Sequence, residues 1–144
     1  MSLQDPSKKM SKSDENLNNI VALLDSKDII KKKINRAVTD SGSEVKYSKD
    51  KLGLSNLIDI YSCLSEENIK TIEQKYEGKM YSHFKNDLIE IIITCLDPIK
   101  QKYDKIINDK DYLNKVLKEG SEKASFKARR TISKVYRKIG FVKK

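Results

Sequence analysis

Apolar residues recur at helical spacing through most of the chain, and this periodicity is the strongest constraint on its fold. A helix with one apolar face must bury that face against other helices. The longest stripe begins at Tyr81, and it continues through Phe84, Leu88, Ile91, Ile92, Cys95, Leu96, Ile99, Tyr103 and Ile106. The pattern predicts an all-α protein, an antiparallel helical bundle.

The same periodicity divides the chain into five predicted helices. Each is bounded by a capping residue or by a residue that favours turns. Pro98 is expected to kink or break the long helix, because it lacks a backbone donor. The first expected helix is 27–39, capped at Asp25-Ser26, and the second has the apolar stripe Leu54, Leu57, Ile58 and Tyr61. The third is capped by Ser65, has the stripe Ile69, Ile72 and Tyr76, and stops at Gly78. The fourth is 81–106, and the fifth runs from Asp109 to Ile139 and is ended by Gly140.

The last helix is expected to bury an inner face against the preceding helix. Its small residues Gly120, Ala124 and Ala128 would allow a close approach. Elsewhere, residues 1–19 and 40–52 are polar and predict irregular connections. Ile20 to Leu24 is a short continuous apolar run, which favours one buried strand.

Composition narrows the class of partner and the compartment. Thirty Lys and Arg against 21 Asp and Glu give a net charge of +9, a broad excess that suggests a polyanionic partner. No apolar run reaches the length of a membrane span. Cys63 and Cys95 lack metal-ligand spacing, so they are expected to be buried free thiols of a cytoplasmic or organelle-matrix protein.

Lys9-Met10-Ser11-Lys12-Ser13 is the segment with the clearest chemistry. Lysines on a mobile loop can close over phosphate oxygens as negative charge develops on them. Serine hydroxyls can add hydrogen bonds to the same oxygens. By its residues alone, the segment is either a phosphate-binding loop or a solvated, basic N-terminal tail.

This pentapeptide resembles the KMSKS motif of class I aminoacyl-tRNA synthetases. With its flanks, Met1 to Pro6 and Asp14, it resembles the version in bacterial and organellar tryptophanyl-tRNA synthetases. The resemblance continues to the end of the chain, at Arg36 to Ser41, Ser55-Asn56-Leu57 with Ile60-Tyr61, Tyr76 to Lys79, Phe84-Lys85 with Asp87-Leu88, Pro98-Ile99 with Tyr103, and Gly120 with Lys123-Ala124.

The resemblance implies a C-terminal part of such an enzyme, beginning at the KMSKS loop. The family's Rossmann-like catalytic domain and its second motif, HIGH, have no counterpart here, and His83 is the only histidine. Residues 1–19 would be the end of that catalytic domain, and residues 20–144 a helical tRNA anticodon-binding domain. Whether Met1 is a native internal residue or the start chosen for a shortened protein stays open.

By resemblance, the parent enzyme activates tryptophan with ATP and Mg²⁺ and charges tryptophan tRNA. Lys12 and then Lys9 would contact the pyrophosphate, and Met10, Ser11 and Ser13 would shape the rest of the ATP-binding loop. The family enzymes are homodimers through the catalytic domain. This chain alone is expected to be inactive, monomeric if dimerisation needs the catalytic domain, and without a metal site of its own.

Transfer RNA would meet the helices. Basic residues follow one stripe of the last helix, and spacing alone slightly favours a solvated face over a phosphate-binding one. The resemblance favours tRNA. The stripe comprises Lys123, Lys127, Arg130, Lys134 and Arg137. Candidates for the anticodon loop are Tyr76, Lys79, Tyr81 and Lys85, although the two tyrosines could instead belong to the core.

Three alternatives stay open. The chain could be a freestanding, non-catalytic tRNA-binding module that keeps the motif as a relic. It could be a helical interaction protein without any RNA role, for which the basic stripe would be dispensable. A fragment of a tyrosyl-tRNA synthetase shares KMSKS, although its flanks fit these residues less well.

Overall fold

A computed structural model describes residues 1–141 and contains five α-helices in that range. A short 3-10 turn at Leu17–Asn19 precedes them. The helices are α1 (Lys27–Arg36), α2 (Leu52–Ser65), α3 (Ile69–Lys75), α4 (Tyr81–Asn108) and α5 (Lys110–Ile139). No strand occurs between residues 1 and 141, so the prediction of an all-α helical fold is confirmed.

The chain separates into two compact units, Met1–Lys100 and Gln101–Lys144, the second described up to residue 141. The first unit contains the turn, α1 to α3 and most of α4. The second contains the end of α4 and all of α5. The predicted domain boundary between residues 19 and 20 concerns the parent enzyme and stays a prediction.

An aromatic cluster lies at the centre of the first unit. The rings of Tyr61 and Phe84 stack with their centroids 5.6 Å apart, and Tyr76 meets both rings edge to face, at 5.9 and 5.2 Å. Such aromatic pairs stabilise a core beyond the area that they bury. Aliphatic side chains surround them, all buried: Ile30, Ile34, Leu54, Leu57, Ile58, Ile72, Leu88, Ile89 and Ile92.

Helix α1 starts where the sequence predicts, and it ends earlier. The Ser26 hydroxyl accepts from the Ile29 amide at 3.3 Å, as expected of the cap. The predicted end at residue 39 is wrong, because the helix ends at Arg36. The Val38 amide donates to the Leu3 carbonyl at 2.9 Å, so the chain after α1 pairs with the N-terminal segment.

Glycine at position 53 lets α2 approach that same stretch closely. A Cβ added to Gly53 would lie 2.1 Å from the Val38 carbonyl oxygen. Backbone atoms cannot give way as a flexible side chain can, so only glycine fits here. The start of α2 is therefore held against the chain that follows α1.

The strand predicted at Ile20–Leu24 is wrong. The Ala22 amide donates to the Asp25 carboxylate and the Asp25 amide donates back to the Ala22 carbonyl, which closes a turn. Leu23 and Leu24 are exposed. An apolar run becomes a strand only when another strand can satisfy its backbone, and the described residues supply none.

Two further local predictions need correction. Asn68, and not Ser65, caps α3, since its side chain accepts from the Thr71 amide at 3.0 Å. Pro98 lies inside α4, which runs on to Asn108, so the predicted break is wrong, while the alternative of a kink stays a prediction. None of the helices within residues 1–141 is long and apolar enough to cross a bilayer.

Helix α5 has the predicted ends. Asp109 accepts from the Tyr112 amide at 2.9 Å, and Gly140 follows the helix in the left-handed conformation, at φ +75°. The prediction of a buried inner face is wrong, because no residue of α5 is buried. Taken by itself, the second unit has too few elements to cover a 30-residue helix.

Lys85 provides the first testable prediction. Its side chain is buried in α4, where its ammonium group donates to the carbonyls of Asn35 at 3.2 Å and Ala37 at 2.9 Å. Burial lowers the pKa of this group. Lys85→Met would keep the length of the side chain and leave both carbonyls without a donor, so we expect unfolding to cost about 1–3 kcal/mol less.

Chemical denaturation followed by circular dichroism would measure this loss. Lys70→Met is the matched control, because Lys70 is an exposed lysine on α3. We expect that variant to stay within about 0.5 kcal/mol of the parent. Equal stabilities of the Lys85 and Lys70 variants would contradict a structural role for the buried ammonium group.

Candidate functional site: the KMSKS loop and the basic helix

The N-terminal side of the pentapeptide is fixed by a closed turn. The Ser2 amide donates to the Lys8 carbonyl at 2.8 Å, and the Lys8 amide donates to the Asp5 carbonyl at 3.0 Å. The Asp5 carboxylate accepts from Ser7 and pairs with the Lys8 ammonium group at 2.9 Å. The Ser7 hydroxyl, followed by Lys8, lowers the pKa of Asp5 to about 2.

The C-terminal side is fixed by Asp14. Its carboxylate accepts from the Asn19 side chain at 2.8 Å and from the Asn16 amide at 2.9 Å. These two hydrogen bonds, with Asn19 the larger cause, lower the pKa of Asp14. The carboxylate therefore stays ionised at neutral pH and keeps the turn at Leu17–Asn19 attached to the loop.

The pentapeptide between these two points is open to solvent. Lys9, Ser11, Lys12 and Ser13 are exposed, and Met10 is half-buried against the core. The hydroxyls of Ser11 and Ser13 lie 3.1 Å apart. Neither Lys9 nor Lys12 forms an ion pair within residues 1–141, so both ammonium groups are free to meet an anion.

A groove of about 530 Å³ lies beside the loop. Met10, Ser11 and Lys12 form one side of it, and the segment Ile20–Leu24 forms the other. The floor is mostly apolar, so the groove offers an apolar surface next to a cation and a hydroxyl. The sequence predicts the basic side of this arrangement and misassigns the apolar side as a strand.

Two of the predicted tRNA contacts are at odds with the structure. Tyr76 is 1% exposed, and its hydroxyl donates to Asp87 at 2.6 Å, so its ring has no free face for a base. Lys85 is occupied by the carbonyls of α1 and its flanking residue. Tyr76 and Lys85 therefore have partners inside the fold, and neither is proposed further as a tRNA contact.

Lys79 and Tyr81 differ in their surroundings. Lys79 is exposed, with its ammonium group 5.4 Å from the centre of the Tyr76 ring, and it stays a candidate. Tyr81 is half-buried, and its hydroxyl donates to the Asp40 carboxylate at 2.9 Å. Tyr81 thereby ties the connection after α1 to the start of α4.

The basic stripe of α5 is fully exposed. Lys123, Lys127, Arg130, Lys134 and Arg137 lie three or four residues apart, so they share one side of the helix. The charge is concentrated there. Residues 101–144 contain 14 Lys and Arg against five Asp and Glu, while residues 1–100 contain 16 of each.

This distribution corrects the view that the excess charge is broad. The whole +9 belongs to the second unit, and the first unit is neutral overall. Counting charges by segment would have found this from the sequence. A polyanion would therefore be attracted to the end that carries α5.

Other chemistry is sparse in the described part of the chain. No group of three or more His, Cys, Asp or Glu side chains there could hold a metal ion. Both cysteines are free, and the expectation of burial is wrong for Cys63, which is exposed, while Cys95 is half-buried.

Comparison with known proteins identifies one family. Residues 1–97 match the family model described as tRNA synthetases class I (W and Y). Tryptophan–tRNA ligase of Clostridium acetobutylicum is 47% identical over 142 residues, which cover 99% of this chain and 42% of that protein. The ligase of Listeria monocytogenes is 47% identical over 145 residues, covering 100% and 44%.

Solved structures agree with the sequence comparison. Tryptophanyl-tRNA synthetase of Campylobacter jejuni, complexed with ADP and tryptophan, superposes with a TM-score of 0.77 at 28% identity, over 98% of this chain and 44% of that one. The Mycoplasma pneumoniae enzyme gives 0.71 at 30% identity, over 99% and 43%. The chain thus spans less than half the length of the relatives it matches.

Proposed function

We propose, since the chain belongs to the family of class I tRNA synthetases for tryptophan and tyrosine, that it is the C-terminal part of a tryptophan–tRNA ligase. The parent enzyme would activate tryptophan with ATP to give tryptophanyl-adenylate and pyrophosphate. It would then transfer the tryptophanyl group to the 3′ end of tryptophan tRNA. This chain would supply the KMSKS loop and the helices that approach the anticodon stem.

One observation carries the proposal. The pentapeptide Lys9–Ser13 is an exposed basic segment between two hydrogen-bonded anchors, which is the arrangement that a loop closing over phosphates requires. The choice of tryptophan over tyrosine is supported by relatives that are tryptophan–tRNA ligases at 47–48% identity.

Lys12 has the central role in this proposal. Adenylate formation breaks the bond between the α- and β-phosphates, so negative charge grows on the leaving pyrophosphate. An ammonium group that meets those oxygens only as the loop closes stabilises the transition state more than the ground state. Lys9 would assist, and the hydroxyls of Ser11 and Ser13 would donate to neighbouring phosphate oxygens.

Magnesium would act as a companion of ATP, supplying positive charge to the phosphates when bound. Among residues 1–141, no group of three or more His, Cys, Asp or Glu side chains could hold a metal ion. Lysines and hydroxyls of this loop suit the phosphate oxygens that the ion leaves free. The part of the site contributed by this chain would therefore recognise phosphate oxygens.

The remaining parts of the proposal concern partners and setting. Lys79 and the basic stripe of α5 would contact the tRNA backbone, where charge gives affinity without sequence information. Assembly as a homodimer through the catalytic domain rests on the family resemblance alone. We place the enzyme in the cytoplasm or an organelle matrix, as bacterial relatives of this kind suggest.

Tryptophan-dependent exchange of radioactive pyrophosphate into ATP tests the proposed activity. We expect the full-length protein to catalyse it with tryptophan and not with tyrosine, and the 144-residue chain to show none, because half of the site is absent. Exchange with tyrosine alone would overturn the assignment of the substrate. Exchange above background by the short chain would show that the loop does not need the missing part.

A further inference from the structure

We propose that Asn56 is a positioning residue that holds the KMSKS loop from the middle of α2. This inference rests on the proposed function, because it assigns Asn56 a part in presenting Lys9 and Lys12 to phosphate. Asn56 is 5% exposed, in a helix whose other buried residues are mostly apolar. Burying a side-chain amide without hydrogen-bond partners would destabilise the fold, so the partners of Asn56 indicate what it does.

The Asn56 side chain forms its hydrogen bonds with the backbone of Met1 and Ser2. Its amide nitrogen donates to the carbonyls of Met1 and Ser2, both at 3.2 Å. Its side-chain oxygen accepts from the terminal ammonium group of Met1 at 2.7 Å, and in a longer parent chain the donor at this position would be the Met1 backbone amide. All three bonds span more than 50 residues of sequence, so α2 and the N-terminal segment are joined directly.

The segment that Asn56 clamps is also where both ends of the KMSKS loop meet. The Ser2 amide holds the Lys8 carbonyl, one residue before the pentapeptide begins. The adjacent Leu3 amide donates to the Asn19 carbonyl at 3.0 Å, and the Asn19 side chain holds Asp14 just after the pentapeptide. Releasing the segment would therefore loosen the two ends together.

Other hydrogen bonds and packing also hold the N-terminal segment that the Asn56 clamp (the hydrogen bonds of Asn56 to Met1 and Ser2) attaches to α2. Leu3 is 1% exposed, and its carbonyl accepts from the Val38 amide, so the segment has a core anchor and a backbone partner of its own. The side chain of Gln4 donates to the Arg36 carbonyl at 2.9 Å. Asn56 adds the only side-chain hydrogen bonds from α2 to the carbonyls of Met1 and Ser2 within the described residues.

Ser55 is the natural control, because it is the adjacent buried polar residue of α2. It is 6% exposed, and its hydroxyl donates to the Ser48 carbonyl at 2.9 Å and accepts from the Ser48 amide at 3.0 Å. It therefore holds the connection before α2, and within residues 1–141 its side chain forms no hydrogen bond to the N-terminal segment. Ser55→Ala and Asn56→Ala both remove buried hydrogen bonds, but only the second acts on the loop.

Hydrogen exchange in the 144-residue chain is the first test, and it does not depend on activity. In Asn56→Ala, we expect the Leu3 and Val38 amides to exchange about tenfold faster, while Ser55→Ala leaves them unchanged. Exchange of core amides in α2 reports folding of each variant. If Asn56→Ala fails to fold, Asn56→Ser, which keeps one hydrogen-bonding group, replaces it with a smaller effect expected in the same direction.

Pyrophosphate exchange by the full-length protein is the second test. We expect Asn56→Ala to lower kcat about tenfold with little change in the KM for tryptophan, since a misplaced loop harms the transition state more than substrate binding. Ser55→Ala should keep kcat. Unchanged Leu3 and Val38 exchange, or equal kcat in the Asn56 and Ser55 variants, would overturn the clamp.

Lys12→Ala, assayed together with the Asn56 and Ser55 variants, distinguishes a failure of the Asn56 clamp from a failure of the proposed loop function. If Lys12→Ala loses exchange activity and Asn56→Ala does not, the loop acts as proposed and the clamp is wrong. If Lys12→Ala is fully active, the proposed role of the loop itself has failed.

Discussion

Lys12→Ala in the full-length enzyme should slow tryptophan-dependent pyrophosphate exchange by about 10²–10³-fold, the usual loss when one transition-state donor is removed. Lys12 is exposed, it lies beside the groove, and it has no ion-pair partner in residues 1–141. Lys12 therefore has no ion pair within the described residues to break before it turns towards the leaving pyrophosphate. Its removal should therefore act on catalysis without weakening the fold.

The kinetic signature of the Lys12 variant is as informative as its size. A contact made mainly in the transition state lowers kcat and kcat/KM together and changes KM little. Lys46→Ala is a matched control, since Lys46 is an exposed lysine of the same unit outside the loop. Affinity for tryptophan tRNA should stay nearly unchanged in both variants. A normal exchange rate in Lys12→Ala would remove the lysine from the mechanism.

Helix positions were the part of the fold that sequence reasoning predicted best. Periodicity placed α2, α4 and α5, and the caps at Ser26, Asp109 and Gly140 were confirmed because capping depends on local chemistry. The C-terminal end of α1 was missed. Its position depends on Leu3, a partner 35 residues away, which local patterns do not contain.

Burial of polar residues was harder to predict. Tyr76 directly follows α3 and continues the predicted apolar stripe of Ile69 and Ile72, so its burial follows from the spacing. The prediction of a tRNA contact gave its hydroxyl group too much weight. Lys85 and Asn56 carried no such signal. Each is buried because a distant backbone segment needs donors, and that need appears only once the chain is folded.

In the candidate site, too, local motifs were predictable from the sequence and distant contacts were not. The pentapeptide Lys9–Ser13 was found from sequence alone, because its five residues match the KMSKS motif of a known family. Its anchors at Ser2, Asp14 and Asn19 were not, since hydroxyls, carboxylates and amides occur throughout this chain and only geometry selects among them. The apolar run Ile20–Leu24 was misread as a strand because it lacks a sheet to join and instead borders the groove.

Neutralising the basic stripe of α5 should have the second large effect. A variant with alanine at Lys123, Lys127, Arg130 and Lys134 removes four of the charges that make up the excess of the second unit. Each phosphate contact contributes roughly 0.7–0.9 to the slope of log affinity against log salt. If all four meet phosphates, the slope should fall by about 3, and affinity for tryptophan tRNA at moderate salt should fall about 10²-fold or more.

A charge-matched variant separates the stripe from net charge. Alanine at Lys31, Lys32, Lys46 and Lys49 removes the same charge from exposed positions of the first unit. It lowers the net charge from +9 to +5, just as the stripe variant does. We expect it to change the salt slope by less than about 1, because non-local charge acts weakly beyond the Debye length.

Tryptophan tRNA transcripts with native and altered anticodons, titrated at two salt concentrations, measure both variants. Phosphate contacts position a nucleic acid, and base contacts specify it, so the stripe variant should weaken binding to both transcripts by the same factor. Equal salt slopes in the two charge variants would mean that tRNA senses only overall charge. Selective loss for the native anticodon would instead mean that the α5 stripe reads bases, a role that exposed single-stranded loops permit.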